Sequence, residues 1–208
     1  GNAASIEATY RLFRNNACAP DAIAEGAFQA VADMTEDYVG DILAIEDTTS
    51  ISYHHQCPGL GCVGNSVAHA RGFMVHSVLA STLDGVPIGL IEQERWRRDI
   101  KNLGGSRNSR ERPYKEKETF KWQRASEKMS RRLEHMEKII SVCDREADVF
   151  EYLDYKRKEN QRFVVRAKYC RRLERQPPLL IRDAMIDAPK LGEKVLEIPQ
   201  QNNRKARE

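Results

Sequence analysis

Apolar positions along this chain follow two periods. At helical spacing, Ile23, Ala27, Phe28, Val31 and Met34 predict a helix over 20–38, with Asp21 placed to cap its start. Residues 5–16 read as a helix too. Residues 117–137 read as an amphipathic helix with Phe120, Ala125, Met129, Leu133 and Met136 inward, and a further helix is expected over roughly 147–159. Between the helices lie short runs rich in β-forming residues, at 41–49, 72–83, 86–96, 138–144 and 162–168. Asp84-Gly85 is a hairpin-turn signal, and Pro87 suits the start or edge of a strand. The stretches 52–70 and 97–116 carry the Gly, Ser, Asn and charge content of loops, and 178–199 is expected to be β-structure. Strand, hairpin, helix, strand, helix, strand in that order predicts an α/β fold, a mixed sheet with helices on its faces.

Two apolar runs end in acid. Ile42-Leu43-Ala44-Ile45 leads into Glu46-Asp47-Thr48-Thr49-Ser50, and Ile139-Ile140-Ser141-Val142-Cys143 leads into Asp144-Arg145-Glu146-Ala147-Asp148. If those strands are neighbours, Asp47 and Asp144 meet at one edge of the sheet. Facing carboxylates repel one another, and a hard divalent cation relieves the repulsion; Mg²⁺ is commonly held by one or two carboxylates plus water and phosphate. Two such ions roughly 3.5–4 Å apart activate a nucleophile and stabilise the leaving oxygen of a phosphodiester. Glu46 and Asp47 are adjacent, so in a strand they point to opposite faces and at most one of them serves. The plain alternative is that strand-end acids cap turns or pair with arginine.

Composition narrows this only locally. Net charge is +3, and the basic residues outnumber the acidic about two to one between Arg95 and Lys138. Such a stripe suits a polyanion, or else a solvated, salt-bridged helix. Five scattered cysteines argue against a disulfide framework and for a reducing compartment. Cys57 and Cys62, with His54, His55 and His69 close in sequence, make zinc conceivable, but a loop of free thiols is the simpler expectation. No run approaches the ~18 apolar residues of a membrane span, so the chain is expected to be soluble and cytoplasmic, without a membrane partner.

The strings Leu43–Ser50, Val75-His76-Ser77-Val78-Leu79, Val142–Asp148 and Arg162-Phe163-Val164-Val165-Arg166 closely resemble, in order, the cut-and-paste transposases of bacterial insertion sequences. That resemblance implies a ribonuclease H-like core with a three-acid site binding Mg²⁺ or Mn²⁺, in which Asp47 and Asp144 match the first two acids. It implies double-stranded DNA, transposon ends and target, as substrate, and a homodimer for the full-length protein. Arg166 falls where the family has a basic residue close to the transposon end, and Arg71, Lys121, Arg145 and Lys168 are further candidates for DNA contact. The domains implied are a helical remnant over 1–38, an incomplete core over 39–170 and the start of a β-rich insertion over 171–208. The helix with the family's Tyr, Arg, Glu and Lys signature does not occur here, so the third acid is missing, and the chain alone is expected to be silent or very weak. Two readings stand beside this one: a metal-dependent nuclease of the same fold, and a non-catalytic DNA-binding remnant relying on the basic stretch.

Other residues have simpler readings. His76, in mid-strand, and Trp122 are expected in the core. Arg145 either contacts phosphate or pairs with Glu46 or Asp148. Arg166 and Lys168 are expected on one side of their strand.

Overall fold

The computed structural model describes residues 2–54, 59–63, 70–99, 111–175, 177–193 and 195. His55, Cys57 and His69, and most of the 97–116 loop, lie outside them. The chain divides into two compact units, Gly1–Lys168 and Tyr169–Glu208.

In the first unit, α1 (Ala3–Arg14) and α2 (Pro20–Glu36) precede β1 (Ile42–Tyr53). A two-residue β2 (Gly61–Cys62), the long hairpin β3 (Arg71–Thr82) and β4 (Pro87–Trp96), α3 (Lys121–Arg132), β5 (Ile139–Cys143), α4 (Phe150–Lys158) and β6 (Arg162–Val165) follow. The sheet order is β2-β3-β1-β5-β6, with β4 paired to β3. β1 runs antiparallel to β3 and parallel to β5, and β5 runs parallel to β6. The result is the mixed, helix-flanked α/β sheet expected.

β1 is longer than its apolar run because β3 is equally long, and the ladder continues to Tyr53 opposite Arg71. The turn falls at the expected place but is centred on Leu83 and Asp84 and closed by Gly85, whose N–H donates to the Thr82 carbonyl at 3.0 Å and whose φ of +83 favours glycine. β4 begins at Pro87 as expected.

Alternation decides the core. Ile42 and Ala44 of β1, Val78 and Ala80 of β3, Ile91 of β4 and Ile139 of β5 pack against Ala32 of α2 and Ala125, Met129 and Leu133 of α3. Each such Ile, Leu, Val or Met contributes about 1.5–3 kcal/mol through removal from water. Arg132 ties the layers together. Its guanidinium lies 2.7 Å from Glu25 of α2 and 2.9 Å from Glu92 of β4, and donates to the Ile91 carbonyl at 2.6 Å.

Several expectations need correction. α2 starts with Ala19 as cap and Pro20 in its first turn; Asp21 pairs with Arg95 instead of capping. The buried side of α2 is Phe28, Ala32 and Thr35, while Ile23 and Met34 are exposed. The apolar positions of α2 span more than one face, and the approach of β4 selects which of them is covered. In the second unit, β7 (Arg172–Leu173) and β8 (Leu179–Leu180) pair antiparallel, but Ile181–Ile186 is a helix, α5, where β-structure was expected. Its Arg-Asp-Ala-Met run favours helix locally.

Candidate metal and phosphate site

The parallel register of β1 and β5 runs from Ile42 opposite Ile139 to Glu46 opposite Cys143. One step further come Asp47, still within β1, and Asp144, just past the end of β5, so the register sets the two acids side by side where the β1–β5 pairing stops. Both are exposed. Each spends one oxygen on local backbone: Asp47 Oδ1 accepts the Thr48 N–H at 2.7 Å, and Asp144 Oδ1 accepts the Glu146 N–H at 2.8 Å, capping the 3-10 turn Arg145–Ala147. The second oxygen of each has no hydrogen bond among the described residues.

The register carries the row further on both sides. β6 follows β5 up to Val165 opposite Cys143, and the Arg166 N–H still donates to the Cys143 carbonyl at 3.2 Å, which sets Arg166 beside Asp144. On the other side Asp47 pairs with Ser77, and Ser77 with Gln93. The row therefore reads Gln93, Ser77 and Asp47 on one face of β4, β3 and β1, continued by Asp144 and Arg166, the residues just past the ends of β5 and β6, a span of ~19 Å at one strand spacing per step. Two residues away on β3, β1, β5 and β6, and three on β4 across a register shift, the register gives Leu79, Ile45, Val142, Val164 and Leu90, an apolar row beneath the polar one. Leu90, Ile45 and Val164 are 37%, 39% and 61% exposed.

Glu46 turns the other way. It is 2% exposed, with Oε2 3.5 Å from His76 Nε2 and Oε1 3.5 Å from the Tyr152 hydroxyl. His76 Nδ1 lies 3.0 Å from Thr48 Oγ1, and its ring meets Trp122 edge-on at 4.6 Å. Glu46 is thus a buried partner of His76, not of Arg145, and both His76 and Trp122 are in the core as expected. Cys143 lies 3.7 Å from Tyr152, and burial together with the Glu46 carboxylate pushes both their pKa values up. Lys156, fully buried, donates to Ser141 at 2.8 Å and Gln161 at 3.0 Å; burial holds its pKa below the ordinary lysine value. This packed layer backs the middle of β1 and the end of β5, so the aspartates stand on or directly beside rigid strands.

The basic candidates scatter. Arg145 is exposed on the turn directly after Asp144. Arg166 and Lys168 lie past the end of β6 instead of within it; the Lys168 N–H donates to Asp148 at 2.7 Å. Asp148 itself is buried two residues before α4 begins. Lys121 is 5% exposed, its ammonium over the Trp96 and Trp122 rings and 3.5 Å from Glu146. Arg71, at the start of β3, is six residues from Ser77, about 20 Å along the strand. Of the basic candidates, then, Arg166 and Arg145 adjoin the aspartates most directly.

Ser77 and Gln93 were not singled out from sequence. The signal was present in the alternation: Ser77 is the one polar side chain between Val75 and Leu79 on its face of β3. Its meaning needed the register.

Among the described residues, no group of three or more His, Cys, Asp or Glu side chains gathers to hold a metal ion. The pair alone fits the chemistry of a hard cation that keeps water and phosphate among its ligands: two carboxylate oxygens, exposed, adjacent and not hydrogen-bonded. No helix of the described residues is long and apolar enough to cross a membrane. No protein-family model matches this chain.

Proposed function

We propose that the first unit is the catalytic core of a DDE-type DNA transposase with a ribonuclease H-like fold. The observation that carries this reading is the register that sets Asp47, in the middle of β1, beside Asp144, the first residue past the end of its parallel neighbour β5. The resemblance of the surrounding strings to insertion-sequence transposases supports it.

In this reading Asp47 and Asp144 hold Mg²⁺ or Mn²⁺ through their outward oxygens. When bound, such ions supply an activated water and charge neutralisation at the leaving oxygen. Arg166, beside Asp144, receives a phosphate of the transposon end, where a guanidinium binds two oxygens at once. Arg145 adds a second positive charge one residue beyond the acid. The buried Glu46–His76–Tyr152 layer keeps both carboxylates in place. A third acid, the target DNA and a homodimeric partner belong to the full-length protein in this proposal, acting in a bacterial cytoplasm.

The test is cleavage of transposon-end DNA by the full-length protein. Asp47→Asn and Asp144→Asn are each expected to abolish nicking while preserving DNA affinity and its salt dependence, since neither residue binds phosphate through a positive charge. Cutting of arbitrary duplex, indifferent to end sequence, would favour a nuclease instead. Salt-dependent binding without any cleavage would favour the DNA-binding remnant.

A further inference from the structure

The open face holds one polar pair for which the proposed centre has no stated use. Ser77 is the direct antiparallel partner of Asp47. Side chains so paired on one face have Cβ atoms roughly 4.5–5.5 Å apart. Gln93, the partner of Ser77 on β4, donates from its Nε2 to Ser77 Oγ at 3.0 Å. That bond occupies a lone pair of the serine oxygen and leaves the serine proton to be donated elsewhere. Along β3, the neighbours on this face are Val75 and Leu79, which offer no acceptor side chain. Across the sheet the register partner of Ser77 is Asp47, whose Oδ1 is held by the Thr48 N–H.

We infer that Ser77, oriented by Gln93, is a positioning residue for the cation centre, donating to a water on the cation held by Asp47. With a cation on Asp47, Gln93 would orient Ser77 and Ser77 would orient a water ligand of that cation. Groups that hold a metal ligand by hydrogen bonding commonly change metal affinity by 10–100-fold when removed. Along the row, the serine side of the centre is then neutral and donating, while the Arg166 side is positive. An anionic phosphodiester would therefore enter from the β6 side, and the β3 side would orient the ligand. The inference rests on the metal reading proposed above.

The test uses Mn²⁺ alone as probe on the 208-residue chain, read by electron paramagnetic resonance for both affinity and line shape. Ser77→Ala is expected to weaken Mn²⁺ by about tenfold and to alter the line shape of the ion that remains bound. Ser77→Thr, which keeps the hydroxyl, should restore both, a rescue that a purely structural role would not give. Ser77→Cys, close in volume but a weak donor, should behave like the alanine variant and stands in for it if that one does not fold. Gln93→Leu should fall between. Wild-type affinity and line shape in Ser77→Ala or Ser77→Cys, while Asp47→Asn loses the ion, overturns this inference and leaves the metal reading standing. Unchanged binding in Asp47→Asn itself overturns both.

Discussion

Lys156 shows most plainly how a single side chain is set by its surroundings. A lysine with no exposure carries its charge among Ser141, Gln161, Tyr152 and, farther off, Glu46. Burial lowers its pKa in the folded protein. Between the lowered folded value and the unfolded value, the unfolded chain binds the extra proton, so stability must rise with pH through that window. Unfolding by denaturant at neutral pH and again near pH 10 should show the wild type gaining stability relative to Lys156→Met as pH rises. A difference that does not change with pH would mean that the ammonium is solvated after all. The same face-reading applies at Glu46 and Asp47. Adjacent in sequence, they part to opposite sides of β1, one buried against His76 and the other exposed beside Asp144. The alternation rule anticipates that split. It does not say which acid turns inward; the partners His76 and Tyr152, distant in sequence, decide it.

At the scale of elements, α2 comes close against β4 at Gly89. A Cβ built on Gly89 would lie 2.6 Å from Val31 Cγ2, near a register irregularity of the β3–β4 hairpin. Gly89→Ala should therefore destabilise by about 1–3 kcal/mol, the usual cost of overpacking. Val31→Ala added to it should recover part of that loss, seen as a non-additive double-mutant cycle in denaturant unfolding. Full additivity would show that the two do not touch. Elements were largely legible from the chain: the β1, β3, β4 and β5 runs, the Asp84-Gly85 turn and the inward face of α3 are where periodicity places them. The extent of β1 and the rotation of α2 depend on what lies opposite, which periodicity within one segment does not contain; α5 follows instead from the local helix preference of its Arg-Asp-Ala-Met run.

For the whole molecule, the consequence of the register is a two-sided sheet. α2, α3 and α4 bury one face, and Glu46, Ser141 and Cys143 go with it. The opposite face carries the polar row from Gln93 to Asp47, continued just past the ends of β5 and β6 by Asp144 and Arg166, above an apolar row from Leu90 to Val164. The two aspartates were legible as candidates because each closes an apolar run. That they are neighbours followed from the parallel pairing of β1 and β5, and the serine and glutamine that extend their row emerged only with the full ladder. The basic candidates were less legible, because Lys121 is drawn into a ring-lined, nearly buried position that its sequence neighbourhood does not mark. The central claim is that Asp47 and Asp144 together form one cation site. The most direct measurement is calorimetric titration of Mn²⁺ into the chain and into Asp47→Asn, Asp144→Asn and the double variant. Either single variant is expected to lose the site, with the double variant no worse than the singles. Mn²⁺ binding that survives both substitutions would contradict it.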